Sequence, residues 1–405
     1  MTQQNTLTAK IGSQSKTSRG NRHSMSFYLT VYLIVYMVLY FYLKAVMTGE
    51  RVEAYQAYLS LLANVILFVV CYYKLFIADM LVYGKFKLLF ILFLILVFIS
   101  YFVNFSGLEK LIGLCDILML IMLFQKSPLN NKERNFLFYL FSLSLFIILL
   151  NGSPLDDGQD SKKFNSNGCA FILSMLFCVS IVRFTKAKTW INLLFALISF
   201  ALQFIFVSRT AMFSCLVFLF LFVIFKTYRK TYKFKTIFYT ILMVSVFGVL
   251  FAYIYAEVLF PLWGHGKIII FGKDLFTGRQ EIWHYTFESI QENPIWGVGS
   301  HLNDDLLNSG FYDLIINAHN QPLGLLAAFG LLPFIVFYVT FAYATAYKHK
   351  FKKSDLYFTN TPALFILLIS LMSWFDLYFF SQYNWVPILI AYCLICGYST
   401  REKKQ

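Results

Sequence analysis

Long stretches without a charged residue are the feature that most constrains this chain of 405 residues. A stretch of roughly 20 apolar residues can cross a bilayer, and it must be helical there because lipid offers no partner for open backbone groups. Only 13% of the residues are charged and 59% are hydrophobic, whereas a soluble domain has about 25% charged residues. The composition therefore excludes soluble, disordered and disulfide-stapled chains and predicts an all-α polytopic membrane protein.

Twelve stretches are candidates for transmembrane helices, and all but one of them lack Asp, Glu, Lys and Arg. The exception carries Asp116, an intramembrane carboxylate of the kind that is often functional but that also pairs with neighbouring helices. The candidates are 27–43, 54–73, 88–105, 108–124, 135–150, 168–182, 189–207, 210–225, 236–256, 320–346, 360–375 and 382–398.

The basic residues predict the orientation of these helices. With the tail 1–25 in the cytoplasm, alternate connections hold most of the 34 Lys and Arg residues, as the positive-inside rule requires. Both termini are then cytoplasmic, and the net charge of +14 reflects membrane orientation rather than affinity for nucleic acid. The seven cysteines all fall in apolar stretches, where we expect them to be small buried hydrophobes.

The predicted organisation is a disordered cytoplasmic tail (1–25), nine transmembrane helices (26–259), a large extracytoplasmic loop (260–318), three more helices (319–398) and a short cytoplasmic tail (399–405). The large loop lies between helices 9 and 10. Chemistry on water-soluble groups needs a polar site, and loops on a rigid scaffold usually supply it. We therefore expect the function to face outward.

The large loop contains one helical pattern, RQEIWHYTFESIQENP, which begins at Arg279 and stops at Asn293-Pro294. Apolar residues recur on one side of it, including Trp283, so the pattern predicts an amphipathic helix suited to a membrane surface. The loop ends in Ala-His-Asn-Gln-Pro, where Asn320 is a plausible N-cap of the next helix.

A second polar feature is the tripeptide Ser208-Arg209-Thr210 between two apolar stretches. An arginine at an extracytoplasmic turn departs from the positive-inside bias. Its side chain could snorkel to lipid headgroups, or its planar guanidinium could bind the phosphate of a ligand.

Four short segments stand out together: SRT at 208–210, TGRQEIW at 277–283, NPIWGVGS at 293–300 and AHNQPLGLLAAFGLLPF at 318–334. In this order they resemble the O-antigen ligase/polymerase family, whose members join lipid-linked glycans at the outer face of the bacterial cytoplasmic membrane. The segment from Lys162 to Ala170 is also similar to that family's motif before its mid-chain helix. The resemblance covers about residues 150–345.

The resemblance implies roles for particular residues. Matched by motif, Arg209 and Arg279 would bind the diphosphate of the donor, and His319 would be the catalytic base. Asn167, Lys163, Trp283 and Asn320 are possible glycan contacts. Many family members have an arginine where this chain has Lys162 and Lys163, so the resemblance implies no second phosphate contact from the loop 151–167. A purely structural role is the alternative for three of these residues: a helix cap for His319, a surface position for Arg279 and interface anchoring for Trp283.

The implied reaction needs no cofactor and no metal. A glycan linked through pyrophosphate to a polyprenol is already activated, so transfer requires neutralisation of the leaving group and removal of the acceptor proton. Imidazole, with an unperturbed pKa of ~6.5, suits a general base near neutrality. The chain has no Asp-x-Asp tripeptide, P-loop or GxGxxG motif, which argues against a nucleotide sugar or a nucleotide cofactor.

The sequence thus predicts a glycosyltransferase that polymerises undecaprenyl-diphosphate-linked repeat units into a capsular, exo- or O-antigen polysaccharide by inverting transfer. A ligase that moves polymer to lipid A–core is the close alternative, and a flippase for the same lipid-linked sugars is a third. The abundance of Phe, Ile, Lys, Asn and Tyr, typical of low-GC genomes, favours the polymerase because many such bacteria lack lipid A. Expected partners are membrane lipids, a flippase and a chain-length regulator.

Overall fold

The fold is described from a computed structural model, for residues 23–46, 50–78, 84–104, 108–126, 129–151, 166–206, 208–228, 232–262, 269–270, 273–274, 279–299, 318–347, 360–375 and 382–399. These residues are predominantly helical. The helices are α1 Met25–Val46, α2 Glu50–Tyr72, α3 Gly84–Asn104, α4 Leu108–Lys126, α5 Asn131–Asn151, α6 Ser166–Ala187, α7 Trp190–Ile205, α8 Arg209–Tyr228, α9 Phe234–Tyr253, α10 Arg279–Glu292, α11 Gln321–Phe329, α12 Leu331–Ala346, α13 Thr361–Met372 and α14 Gln382–Tyr398.

Each apolar stretch singled out in the sequence forms one or two helices over most of its described residues. Five helical segments are long and apolar enough to cross a membrane, namely Tyr58–Ile77, Gly84–Asn104, Gly168–Ala187, Arg209–Thr227 and Phe234–Leu262. Several shorter apolar helices accompany them. The chain is therefore a multi-pass membrane protein, while its twelve crossings and their orientation stay predictions.

The helices pack into one bundle around α4, α6 and α14. Side chains of these three helices are almost all buried, whereas α2 and α3 expose apolar residues such as Leu62 and Leu88 on their outer faces. Because exposed apolar side chains cost nothing in lipid, this distribution suits a bundle whose outer helices face a bilayer. Two π-helical segments, Tyr73–Ala78 and Ile254–Leu259, extend α2 and α9.

The tenth predicted crossing, 320–346, is not one continuous helix. It is broken at Gly330 into α11 and α12, because Gly330 has φ 82° and ψ 179°, a region that is essentially restricted to glycine. An added Cβ at Gly330 would collide with the carbonyl group of Ile295. The break therefore makes room for the chain of the large loop.

Ring contacts define one end of the bundle, and the directions of the helices then define the other. Phe225 near the end of α8 meets Tyr232, and Phe234 at the start of α9 meets Tyr343 near the end of α12. We call this the lower end. The beginning of α8, the end of α9 and the beginning of α11 then lie toward the opposite end, which we call the upper end.

The described parts of the large loop lie beyond α9. They are the last helical turn Phe260–Leu262, a two-residue antiparallel pair of strands, β1 Ile269–Ile270 and β2 Lys273–Asp274, and α10. The tail 1–22 and residues 400–405, which the sequence assigns to the cytoplasm, lie outside the described residues.

Candidate functional site

Helix α10 is the first component of the candidate site. Its apolar side packs on the protein: Ile282 and Trp283 are buried, and the Trp283 ring makes edge contacts with Phe251 and Tyr255 of the α9 segment. The expectation that this face lies on a membrane surface was therefore wrong. An amphipathic pattern records only that one side is apolar, and here α9 and α11 cover that side.

The second component is the segment that leads into α11. The indole N–H of Trp283 donates to the carbonyl of Ala318 over 2.7 Å, so α10 holds the residue that immediately precedes His319. Asn320 is the N-cap of α11, with its side-chain oxygen accepting from the N–H of Leu323 over 2.9 Å. Pro322 stands in the first turn, as its missing N–H allows. The predicted cap is confirmed.

His319 itself has an unusual backbone conformation. Its φ is 43°, in the left-handed region that non-glycine residues seldom adopt. Its side chain is half-buried at the mouth of α11. Such conformations persist where the surrounding structure holds them, and they concentrate at functional sites.

Arg279 is the first residue of α10, and its side chain is also half-buried. Residues four apart lie on the same face of a helix, so Arg279 stands one turn before the indole that contacts Ala318. The structure thus brings the helix that begins with Arg279 against the segment that contains His319.

Arg209 begins α8 after the short turn that contains Ser208, whose N–H donates to the carbonyl of Gln203. At 1.5 Å per residue, Arg209 lies roughly 24 Å along α8 from Phe225, and Gly248 lies roughly 21 Å along α9 from Phe234. Gly248 accepts a hydrogen bond from the Asn320 side chain. Arg209 is therefore at the upper end, at a height similar to that of Asn320, and its side chain is half-buried.

The turn that follows α10 is locked to the helix break. The N–H groups of Val298 and Gly299 donate to the carbonyls of Ala327 and Ala328, and the N–H of Leu331 donates to the carbonyl of Pro294. From α3, Ser100 and Asn104 both donate to the carbonyl of Trp296, over 2.7 and 3.0 Å. The sequence analysis did not predict this attachment of the WGVG turn (residues 296–299); a signal for it is the pair of glycines, Gly297 and Gly330, which both have positive φ.

A histidine–carboxylate group was also missed. Nδ1 of His284 lies 2.7 Å from Oε1 of Glu257, and its Nε2 lies 3.5 Å from Glu288. The sequence analysis assigned no role to His284, and the separation of 27 residues gave no hint that Glu257 reaches it. These side chains are partly exposed, and they tie α10 to the π-helical end of α9.

The remaining predicted contacts have these outcomes. Trp283 is fully buried and Asn320 is 0% exposed, so both are engaged with the protein, and a glycan contact by either stays a prediction. Lys162 and Lys163 lie outside the described residues, and Asn167 is described only as part of the first turn of α6. Asp116 is buried in α4, and its carboxylate oxygens have no hydrogen-bond partner among the described residues.

One comparison with known proteins bears on this arrangement. Residues 193–338 match the family model described as O-antigen ligase. The resemblance to the O-antigen ligase/polymerase family is confirmed. The matched region runs from α7 to α12 and includes Arg209, Arg279 and His319. No curated protein matches the chain.

Family resemblance and fold together support a general statement of function. The O-antigen ligase/polymerase family carries out glycosyl transfer on lipid-linked glycans, and this chain is a multi-pass membrane protein. Among the described residues, no group of three His, Cys, Asp or Glu side chains is arranged to hold a metal ion.

Proposed function

We propose that this protein is a polymerase that joins undecaprenyl-diphosphate-linked oligosaccharide repeat units into a surface polysaccharide. The reaction takes place at the outer face of the cytoplasmic membrane, with twelve transmembrane helices and both termini in the cytoplasm. His319 is the catalytic base, and Arg209 and Arg279 bind the diphosphate of the donor.

The proposed chemistry is a single displacement. A hydroxyl oxygen of the acceptor glycan bonds to C1 of the donor sugar while the bond from C1 to the diphosphate oxygen breaks. The acceptor proton passes to the imidazole of His319, and the negative charge that grows on the leaving diphosphate is stabilised by the two guanidinium groups. Attack on the side opposite the leaving group inverts the anomeric centre.

The observation that carries the proposal is the hydrogen bond from Trp283 to Ala318. It connects the helix that begins with Arg279 to the residue beside His319, although Trp283 and Ala318 are 35 residues apart in the chain. The half-buried state of Arg209, Arg279 and His319 also supports it, because a group must be reachable by a substrate yet partly shielded from water to act strongly on charge.

Ligation is the second candidate, because the matched family model is described as O-antigen ligase. A ligase would use the same displacement with a lipid A–core acceptor in place of a second repeat unit. The two differ in the acceptor, so the products distinguish them. Deletion of the gene should leave single repeat units on the outer leaflet for a polymerase, and finished polymer on the undecaprenyl carrier for a ligase.

The residue assignment is tested with purified protein and a lipid-linked repeat unit. We expect His319→Ala and Arg279→Ala to lower the rate of polymer formation by about 10²-fold or more, because each removes a group that acts in the transition state. His284→Ala is the matched control, since it removes an imidazole from the same end of the molecule and should keep turnover. Wild-type polymerisation by correctly folded His319→Ala protein would refute the assignment.

The orientation is tested by labelling introduced cysteines in intact cells. The seven native cysteines are buried in the structure, so a membrane-impermeant maleimide should report mainly on new ones. Glu281→Cys in α10 should be labelled from outside, and Ala187→Cys at the end of α6 only after permeabilisation; both positions are exposed. The reverse pattern would overturn the orientation.

A further inference from the structure

The short segment Ala318–Gln321 is held by three different parts of the fold. The Trp283 indole donates to the carbonyl of Ala318 over 2.7 Å. The Asn320 side-chain amide donates to the carbonyl of Gly248 in α9 over 3.0 Å, and the N–H of Gln321 donates to the carbonyl of Ser373 after α13 over 2.7 Å. His319 is therefore fixed from both sides in the chain.

The groups that hold this segment cannot easily move. Trp283, Asn320 and Gln321 are 0% exposed, and the Trp283 ring is enclosed by the rings of Phe251 and Tyr255. On the other side, a Cβ at Gly248 would lie 2.7 Å from Trp374 and 2.8 Å from Pro322, so α9 approaches the segment as closely as glycine allows. The indole of Trp374 in turn donates to the carbonyl of Val244 over 2.9 Å.

The left-handed φ of 43° at His319 explains why the segment needs these three hydrogen bonds. A non-glycine residue in this region has an unfavourable backbone energy, and it keeps that conformation only when its neighbours enforce it. The bonds to the Ala318 carbonyl, from the Asn320 side chain and from the Gln321 N–H fix the backbone on both sides of His319. They therefore fix the position from which its imidazole projects.

The hydrogen bond from Trp283 to Ala318 also couples His319 to α10. Trp283 is one turn after Arg279 in the same helix, so the indole that holds Ala318 also sets the distance between the Arg279 end of α10 and the His319 backbone. The loss of this single N–H would leave the chemistry-bearing side chains present but would free the segment between them.

We propose that Trp283 and Asn320 are positioning residues that orient His319 relative to Arg279, and that they do not act by contacting glycan. This inference rests on the proposed function, in which His319 is the base. It reassigns two residues for which the sequence suggested sugar contacts, and it predicts an effect on turnover rather than on donor binding.

The test uses full-length protein and the lipid-linked repeat unit as the substrate. Trp283→Phe keeps an aromatic ring but removes the N–H. We expect kcat to fall about 10–100-fold because small displacements of a catalytic group are costly, with KM for the donor within about threefold because the arginines that bind it remain. Asn320→Ser, which can still cap α11 but cannot reach Gly248, should show the same separation of kcat from KM. Trp296→Phe is the matched control, because no described hydrogen bond uses its indole N–H, and it should behave as wild type.

A double variant separates positioning from general stability. If Trp283 acts through His319, adding Trp283→Phe to His319→Ala should cause little further loss of the residual rate, because residues that act as a unit are not additive. Fully additive losses, a raised KM with kcat unchanged, or wild-type kcat in Trp283→Phe would each overturn the inference. Wild-type activity of His319→Ala would instead refute the proposed function, so the two failures are distinguishable.

Discussion

The two ends of the bundle use their cationic side chains in opposite ways. Arg134 and Arg183 lie at the lower end, because α5 begins just after Gln125 of α4, which donates to the carbonyls of Ala344 and Thr345 in α12. They are 4% and 5% exposed. The guanidinium of Arg183 lies 4.0 Å from the ring centroid of Phe138 and 4.6 Å from that of Tyr139, and Arg134 stacks on Tyr398 and donates to the carbonyl of Gly397. At the upper end Arg209 and Arg279 are half-exposed at the first residues of their helices.

The difference in burial separates arginines that are enclosed by the protein from arginines that a ligand can reach. A guanidinium between two aromatic rings is used by the protein itself, and its removal should cost stability. A guanidinium at a half-exposed helix start can bind an anionic group that arrives from outside. Among the described contacts of the upper end, neutral side chains donate to the backbone carbonyls of Ala318, Gly248 and Trp296.

The largest expected effect comes from the upper arginines. Arg209→Ala and Arg279→Ala should each reduce turnover by about 10²–10³-fold, because each removes a donor that stabilises the leaving diphosphate. The amount of folded protein in the membrane should remain near wild type. Turnover is measured by polymer formation from the lipid-linked repeat unit, and folded amount by size-exclusion chromatography. A loss of activity that merely tracks a loss of folded protein would remove the contrast between the two ends.

The second prediction concerns the lower end. Arg183→Met should lower the free energy of unfolding by about 2 kcal/mol, since a desolvated cation–π contact contributes on that scale. Turnover per folded molecule should not change. Thermal unfolding in detergent micelles measures the first quantity, and Lys188→Met, at an exposed position near the end of the same helix, is the control for charge. A strong fall in specific activity would show that the lower end participates in the reaction.

The third prediction concerns the helix break that separates α11 from α12. Gly330→Ala should destabilise the protein by about 1–3 kcal/mol, because φ 82° with ψ 179° suits only glycine. Gly84→Ala is the matched control, since nothing lies within 4 Å of a Cβ at that position, and it should be neutral. Equal thermal stability of the two variants would mean that the break is not under this constraint.

The smallest expected effect is at the contact between α3 and the loop. Ser100→Ala removes one of two donors to the carbonyl of Trp296, and the remaining bond from Asn104 keeps that carbonyl satisfied. We expect a loss of about 1 kcal/mol or less in the free energy of unfolding. The double variant with Asn104→Ala should lose more than the sum of the two single changes, because it leaves a carbonyl group without either donor. If the losses in the free energy of unfolding of the two single variants simply add in the double variant, Ser100 and Asn104 do not share the Trp296 carbonyl as acceptor.

Much of the fold followed from hydropathy, because a helix is the only structure an isolated apolar segment can form in lipid. Each predicted stretch forms one or two helices over most of its described residues, and the predicted pattern in the large loop forms α10 from Arg279 to Glu292. Asn320 was predicted as an N-cap from local sequence, because a cap needs only a side-chain oxygen and the next three residues.

Other features were not visible in the sequence because they depend on residues far apart in the chain. Trp283 looked like an interfacial or sugar-stacking residue, but its ring is enclosed by residues of α9 and its N–H belongs to Ala318. The contact of Glu257 with His284 and the attachment of the WGVG turn to the break at Gly330 also join separate segments. Hydropathy cannot report which helix covers which apolar face.

The sequence by itself determined that this is a helical membrane protein, because the apolar length and the scarcity of charge leave the backbone no other way to satisfy its hydrogen bonds in lipid. It also determined which family it resembles, through short motifs around Arg209, Arg279 and His319. Only the tertiary structure decided that α10 packs on protein, that one apolar stretch is broken in two, and that three distant segments hold the backbone around His319. Those outcomes depend on close contacts between side chains and carbonyl groups that have no periodic signature in the chain.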